Sequence, residues 1–129
     1  RYPPGTACPW CAHRSFEWVL VEGQGEVHSY GEVHHAVQKS LSEKVPYMIL
    51  VVDLDVQKGK PTEHEALRVA GNLVDEDGEL ASPALIKEVG IGTRVRMVFH
   101  KVSNGLALPF WTLDKNTEQP GTPWRYPQE

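Results

Sequence analysis

Short strand-like runs separated by glycine-rich or polar turns fill most of this sequence, and they restrict its fold more than any other feature. The run 47–54 is nearly continuous in apolar residues, which predicts a central strand covered on both faces. The other runs with the two-residue period of strands are 16–22, 26–33, 67–74, 94–100 and 106–110. The chain is therefore predicted to be all-β.

One segment predicts a helix. Ser82 is a suitable N-cap, Pro83 fits the first helical position, and Gly90 can end the helix. This segment falls between the third and the fourth of the five strand runs in residues 23–113, which is the arrangement of the five-stranded oligonucleotide/oligosaccharide-binding (OB) barrel. We predict an OB-fold barrel over residues 23–113 and an extended, proline-rich tail over 114–129.

The Cys8-Pro9-Trp10-Cys11 turn has no second cysteine pair in the sequence. Structural zinc takes four ligands, usually from two Cys-x-x-Cys turns, so residues 1–22 predict half of a truncated zinc ribbon with Cys8 and Cys11 as metal ligands. The second pair is expected upstream, and His13 is the nearest substitute ligand. A redox motif and a pair of reduced thiols in a loop are the alternatives; no βαβ pattern follows, which favours zinc over redox chemistry.

Composition excludes several classes of protein. A chain of 129 residues fits one domain with a small appendage. No apolar run approaches the ~20 residues of a membrane-spanning helix, so no membrane partner is expected. Two closely spaced cysteines make a poor extracellular crosslink, which predicts a cytoplasmic protein. The formal net charge of −4 argues against a nucleic-acid partner.

The histidines raise an enzyme hypothesis, since neutral imidazole serves as a base or a metal ligand near pH 7. His34 and His35 are adjacent and point to opposite faces of a strand, and no Ser or Cys lies in a nucleophile elbow. Asp53 and Asp55, at the exit of the central strand, are interpreted as structural carboxylates. We predict no catalytic residue in this chain.

Several short motifs in a fixed order resemble a known family. They are Arg1-Tyr2-Pro3-Pro4, Cys8-Pro9-Trp10-Cys11, Trp18 through Gly23 and Gly25, Val27-His28-Ser29-Tyr30, Val33-His34-His35, Pro46-Tyr47, Gly71-Asn72-Leu73, Ile91-Gly92 through Val95, and Leu108-Pro109. In this combination the chain resembles the rubredoxin-like zinc-ribbon plus OB-fold proteins of domain-of-unknown-function family thirty-five, which are acyl-CoA-associated subunits. In that family a first Cys-x-x-Cys turn precedes the Arg-Tyr-Pro-Pro position, which supports zinc as the cofactor.

The resemblance implies a non-catalytic accessory subunit or domain. It would bind a thiolase-superfamily enzyme in a hetero-oligomer and help form the acyl-CoA site, with acyl-CoA as the shared ligand. The favoured class is the steroid side-chain aldolase, a retro-aldolase built on a lipid-transfer-protein-like thiolase. One alternative is a scaffold of a thiolase, hydroxymethylglutaryl-CoA synthase or C-acetyltransferase complex. Another is a single-stranded nucleic-acid-binding OB domain, with Tyr30, Tyr47 and Trp111 as stacking platforms.

Candidate ligand-binding residues follow from this role. Arg94 and Arg96 are expected to point outward from the fourth strand of the barrel and meet phosphates, while Tyr30, His34 and His35 line the opening of the first. Surface charges that protect a strand edge are the ordinary interpretation of the two arginines. Candidate interface residues are Trp10, Trp111, Trp124 and Tyr126. Packing between ribbon, barrel and tail is the alternative for these aromatics, and Trp18 is assigned to such packing.

Overall fold

The computed structural model describes residues 3–127, and its centre is one five-stranded sheet closed into a barrel. The strands are β1 (Gln24–Val33), β2 (Tyr47–Leu54), β3 (Leu67–Asn72), β4 (Arg94–Ser103) and β5 (Leu106–Leu113). They pair antiparallel in the order β3-β2-β1-β4-β5. A parallel bridge between Leu73 and Trp111 joins the two edges, and the Val74 amide donates to the Trp111 carbonyl at 2.8 Å. The OB-fold prediction is confirmed.

A β-bulge in β1 changes which side chains face the core. The register with β2 shifts between Val27 and Ser29, so the intervening residue has no partner in the ladder. Val27 is fully buried, but beyond the bulge Tyr30 packs against the core while Gly31 is exposed. Strict alternation over residues 26–33 would place Val27 and Gly31 on one face, and the bulge makes that prediction wrong beyond Val27.

The core lies between β2 and the curved remainder of the barrel. In β2, Met48, Leu50 and Val52 are fully buried, whereas Ile49 is 36% exposed, so the expected covering of both faces is wrong at Ile49. The largest core side chain is Trp111 on β5, which is 1% exposed. The other fully buried apolar residues of the core cluster are Val27, Leu73, Val89 and Val95.

The one α-helix within residues 3–127, α1 (Pro83–Glu88), begins as its sequence predicts. The Ser82 hydroxyl accepts from the Leu85 amide at 3.3 Å, Pro83 occupies the first turn, and Ile86 is buried against the barrel. Only six residues long, α1 cannot cross a membrane, and no other helix described within residues 3–127 can either.

Residues 3–23 contain no helix or strand. The predicted strand at 16–22 is wrong, as is the packing role given to Trp18, because Trp18 is 76% exposed and Leu20 is fully exposed. A period of two shows that a segment can form a strand, but a strand also needs a partner. Within the described residues no strand lies beside this segment, so no ribbon of paired strands is formed there.

Candidate functional site

The C-terminal strap, defined here as residues 119–127, lies along the barrel. The Gln119 side chain accepts from the Arg94 amide at 2.9 Å and donates to the Arg94 carbonyl at 2.8 Å. Trp124 and Ile91 then form an antiparallel bridge, with N-to-O distances of 2.8 and 3.3 Å. The strap is thus anchored at both ends to the residues that lead into β4 or begin it.

Arg125 makes the densest set of contacts in the strap. Its guanidinium donates to the Ile86 carbonyl at 2.6 Å and to the Val89 carbonyl, and it forms an ion pair with Glu32. It also lies over the Tyr30 ring, 5.2 Å from the centroid. Carbonyls at the end of a helix lack partners within the helix and favour a cation, so Arg125 ties the end of α1 to β1.

The strap completes an aromatic corner on β1. The Tyr126 amide donates to the Tyr30 hydroxyl at 2.8 Å, and the Tyr126 ring lies 5.2 Å from Tyr30 and 4.7 Å from Trp124. Beside it, His34 Nε2 is 3.5 Å from Glu32 Oε2. A shallow pocket on this corner is lined by Tyr30, Gly31, Glu32, His34, Tyr126 and Pro127. The structure therefore brings together two predicted ligand residues, Tyr30 and His34, with one predicted interface residue, Tyr126.

The two predicted ligand arginines, Arg94 and Arg96, lie in different surroundings. Arg94 binds Asp55 with both terminal nitrogens, at 2.8 Å from Nη1 to Oδ1 in one of the two contacts, and its side chain is only 18% exposed. The hydrogen bond from Arg94 lowers the pKa of Asp55 although partial burial opposes it, and the pKa of Arg94 is raised by the same hydrogen bond. Arg94 and Arg96 both lie on the face of β4 opposite buried Val95, but Arg94 is held by Asp55 whereas Arg96 is exposed.

The five predicted ligand residues do not form one site. Arg96 pairs with Gln24 at the start of β1, while Tyr30 lies six residues further along the same strand. At about 3.3 Å per residue, the two positions are roughly 20 Å apart. His35 is exposed in the loop after β1 and does not line the pocket that His34 shares with Tyr30.

The predicted interface aromatics differ in how far they are exposed. Trp111 is 1% exposed and part of the barrel core, so its assignment to an interface is wrong: the Trp111 indole packs 3.0 Å from where a Cβ at Gly71 would stand. Trp10 is 62% exposed, and Trp124 and Tyr126 are about half exposed. Exposed apolar residues that were not predicted for an interface lie on the outer parts of β4 and β5: Phe99, Val102, Leu106 and Leu108. Alternation over residues 94–100 would place Phe99 on the core face with Val95, because alternation shows the face of a strand but not where the barrel ends.

The Cys8 and Cys11 turn is tight. The Ala12 amide donates to the Cys8 carbonyl and the Cys8 amide donates to the His13 carbonyl, both at 2.9 Å, with Ala12 at φ 57°. This turn suits two thiolate ligands of a tetrahedral zinc. His13 instead lies near the Ser15 carbonyl, at 3.4 Å. No three His, Cys, Asp or Glu side chains within residues 3–127 gather closely enough to hold a metal, so these residues offer no third ligand beside Cys8 and Cys11.

Two curated relatives match the chain. It is 29% identical over 102 residues to a DUF35 domain-containing scaffold protein of Methanocaldococcus jannaschii, which covers 78% of this chain and 60% of the relative. It is 37% identical over 76 residues to a probable enoyl-CoA hydratase alpha subunit of Thermomonospora curvata, covering 57% of this chain and 20% of that protein. The chain thus spans less than two thirds of either relative.

A solved structure and a family agree with these relatives. The solved structure described as the Ltp2-ChsH2(DUF35) aldolase matches with a TM-score of 0.66 and 26% identity, over 88% of this chain and 74% of that one. Residues 18–100 match the family described as ChsH2, C-terminal OB-fold domain. The chain therefore belongs to the ChsH2-type OB-fold domains of the DUF35 family.

Proposed function

We propose that this chain is a non-catalytic accessory subunit or domain that binds a lipid-transfer-protein-like enzyme of the thiolase superfamily and helps form its acyl-CoA site. The observation that carries the proposal is the likeness, over 88% of the chain, to an aldolase whose name joins Ltp2 to a DUF35 protein. The reaction we propose for the complex is retro-aldol cleavage of a steroid side-chain acyl-CoA.

The described surface suits a wall of a shared site better than a self-contained one. Its sheet presents exposed apolar side chains beside an unpaired arginine, Arg96, and the pocket at Tyr30 and His34 is shallow. A barrel that covers one side of an acyl channel keeps water from the thioester, while a guanidinium at its edge can meet a phosphate with two hydrogen bonds. Arg94 is already neutralised by Asp55, so Arg96 is the arginine proposed for this contact.

Co-expression with a lipid-transfer-protein-like thiolase tests the proposal. The two proteins are expected to co-elute in size-exclusion chromatography, and cleavage of a steroid side-chain acyl-CoA is expected from the complex but not from this chain alone. Thioester cleavage by this chain alone would refute the accessory role. Failure of the two proteins to associate would refute the partner.

A variant of Arg96 tests the ligand contact separately. Arg96→Ala is expected to raise the KM of the complex for acyl-CoA about tenfold or more, because charge-assisted hydrogen bonds to a phosphate are lost, without changing the Kd for the partner. Lys60→Ala, which removes an exposed cation in the loop before β3, is the control and should change neither value. Equal KM values for both variants would exclude Arg96 from the acyl-CoA site.

A second candidate function follows from the scaffold protein of Methanocaldococcus jannaschii. In this second proposal, this chain is a scaffold or CoA-binding subunit of a thiolase, hydroxymethylglutaryl-CoA synthase or C-acetyltransferase complex. Assaying the purified complex for acetyl transfer and condensation as well as for aldol cleavage separates these reactions.

Single-stranded nucleic-acid binding and cytoplasmic location stay predictions. An electrophoretic shift at low salt would test the first, and cell fractionation would test the second.

We also propose a zinc ion held by Cys8 and Cys11 with two ligands from outside residues 3–127. When bound, zinc would fix the turn that precedes the barrel and has no part in the chemistry. Elemental analysis of the natural full-length protein is expected to find one zinc per chain, absent from a Cys8→Ser, Cys11→Ser variant and retained in His13→Asn. Full zinc content in the double variant would refute this assignment.

A further inference from the structure

The outer halves of β4 and β5 extend beyond the last pairing with β1 as a two-stranded arm, defined here as residues 98–110, which touches the turn at Gly78 through the His100 ring. β1 pairs with β4 only at Arg94 to Arg96, and the last contact is the Met97 amide donating to the Gly23 carbonyl at 2.7 Å. Past that point no strand within residues 3–127 lies beside β4 on the side away from β5. Six residues of β4 remain, which is about 20 Å of projecting strand.

The arm is apolar on both of its faces. Phe99 pairs with Pro109 and continues the face that begins with buried Val95, yet Phe99 is 66% exposed because the barrel has ended. Leu108 pairs with His100 on the opposite face and is 42% exposed. At the tip, Val102 and Leu106 are each 50% exposed. Folding does not require large apolar groups in water on both faces of one hairpin, and such patches mark binding surfaces.

The charges of the arm indicate what it binds. The arm contains one charged residue, Lys101, and no Asp or Glu, and exposed Arg96 lies just before it, in a chain whose formal net charge is −4. Lys101 is exposed on the arm. A complementary surface therefore has an apolar floor for the hairpin and acidic residues at its rim. A symmetric contact between the arms of two copies is disfavoured, because it would bring like charges together at Lys101.

We infer that the arm is the element that this chain inserts into an apolar, acid-rimmed groove of its partner enzyme. The inference rests on the proposed function and adds the surface that makes the contact. Aromatic and aliphatic side chains at the centre of an interface carry most of its binding free energy, and Phe99 and Leu108 are the residues on the two faces of the arm that meet this description.

Binding of purified variants to the partner enzyme, measured by calorimetry, tests the inference. Phe99→Ser with Leu108→Ser is expected to weaken Kd by about 30-fold or more. Lys101→Glu is expected to weaken it about tenfold, mainly through a slower association rate at low salt. Thermal unfolding should hardly change in either variant, because the altered side chains are exposed.

Val37→Ser is the matched control. Val37 is a fully exposed apolar residue in the loop between β1 and β2, and its replacement should leave Kd unchanged. Wild-type affinity in the double arm variant would overturn the inference while the proposed function stands. Absence of binding by the wild-type chain would instead refute the proposed function. Arm-dependent dimerisation of this chain, or arm-dependent binding to phosphatidylglycerol vesicles, would assign the arm to a different partner and also overturn the inference.

Discussion

The docking of the strap can be tested by a single added methyl group at Gly90. A Cβ at this position would overlap the Trp124 carbonyl oxygen and lie 3.0 Å from Arg125 Cγ. Gly90 is not among the residues with positive φ, so its backbone accepts alanine without strain. Gly90→Ala should therefore act only through the strap, which must shift or detach.

The loss of stability caused by Gly90→Ala cannot exceed the free energy that holds the strap on the barrel, since full detachment of the strap relieves the overlap. The main contact is Arg125, 21% exposed, with Glu32, 16% exposed, and it is accompanied by donation to two carbonyls of α1. Breaking a buried ion pair costs about 3 to 5 kcal/mol, and partial exposure reduces this value. We expect Gly90→Ala to lower the free energy of unfolding by about 2 to 3 kcal/mol, or Tm by about 10 °C.

The effect of Gly90→Ala on the free energy of unfolding should change sign when the strap is absent. In a chain ending at Gln119, alanine at position 90 meets no strap and only restricts the unfolded chain, which stabilises by about 0.4 to 1 kcal/mol. Urea denaturation of the four proteins measures both differences. Gly121→Ala is the control, because nothing lies within 4 Å of its Cβ position. An equal loss of stability in both backgrounds would show that Gly90→Ala acts within the barrel and would refute strap docking.

Four further substitutions test the fold and its ion pair. Because Arg94 lowers the pKa of Asp55, the carboxylate stabilises the fold above the unfolded pKa of about 3.9 and this stability is lost as the pH falls through the lower folded value. Asp55→Asn should therefore cost about 1 kcal/mol in chemical denaturation at pH 7, and the difference from wild type should vanish in strong acid. Trp111→Ala should cost about 3 to 5 kcal/mol in the same assay, whereas Trp10→Ala should cost less than about 0.5. Ser82→Ala should lower stability by about 1 kcal/mol through loss of the cap of α1, and an unchanged denaturation midpoint would contradict that role.

The parts of the fold that could be predicted from sequence depend on local signals. The bounds of β2, Tyr47–Leu54, match the prediction because Pro46 precedes an uninterrupted apolar run. The start of α1 was readable from Ser82 and Pro83 for the same reason, since a cap acts on residues within one turn. With five strand runs and one helix in the right order, the OB fold followed.

The errors concern partners that are distant in sequence. The bulge after Val27 inserts one residue against β2, which alternation in β1 alone does not show. The 16–22 segment has the alternation of a strand, but its pairing depends on a second strand that no local pattern reports. Such pairings are set by tertiary contacts, so sequence periodicity predicts the face of a strand better than its neighbours.

The candidate site shows the same division. Tyr30 and His34 were predicted together because both stand near the end of the first barrel strand, and both line one pocket. The ion pair of Arg94 with Asp55 could not be predicted because the two residues are 39 positions apart in sequence. The ion pair of Arg125 with Glu32 could not be predicted because they are 93 positions apart. Charged residues give no local sign of which opposite charge they will meet after folding.

The position of Arg96 connects the proposed ligand contact to the proposed docking arm. A phosphate that approached Arg94 would have to displace a carboxylate already held by two nitrogens, whereas Arg96 on the same strand is exposed. Arg96 is also the last β4 residue paired with β1, so it stands at the base of the arm. If the arm enters the partner, a phosphate at Arg96 lies at the boundary between the two proteins. A subunit without a deep pocket of its own can then still complete an acyl-CoA site, because the other wall of that site belongs to the enzyme it binds.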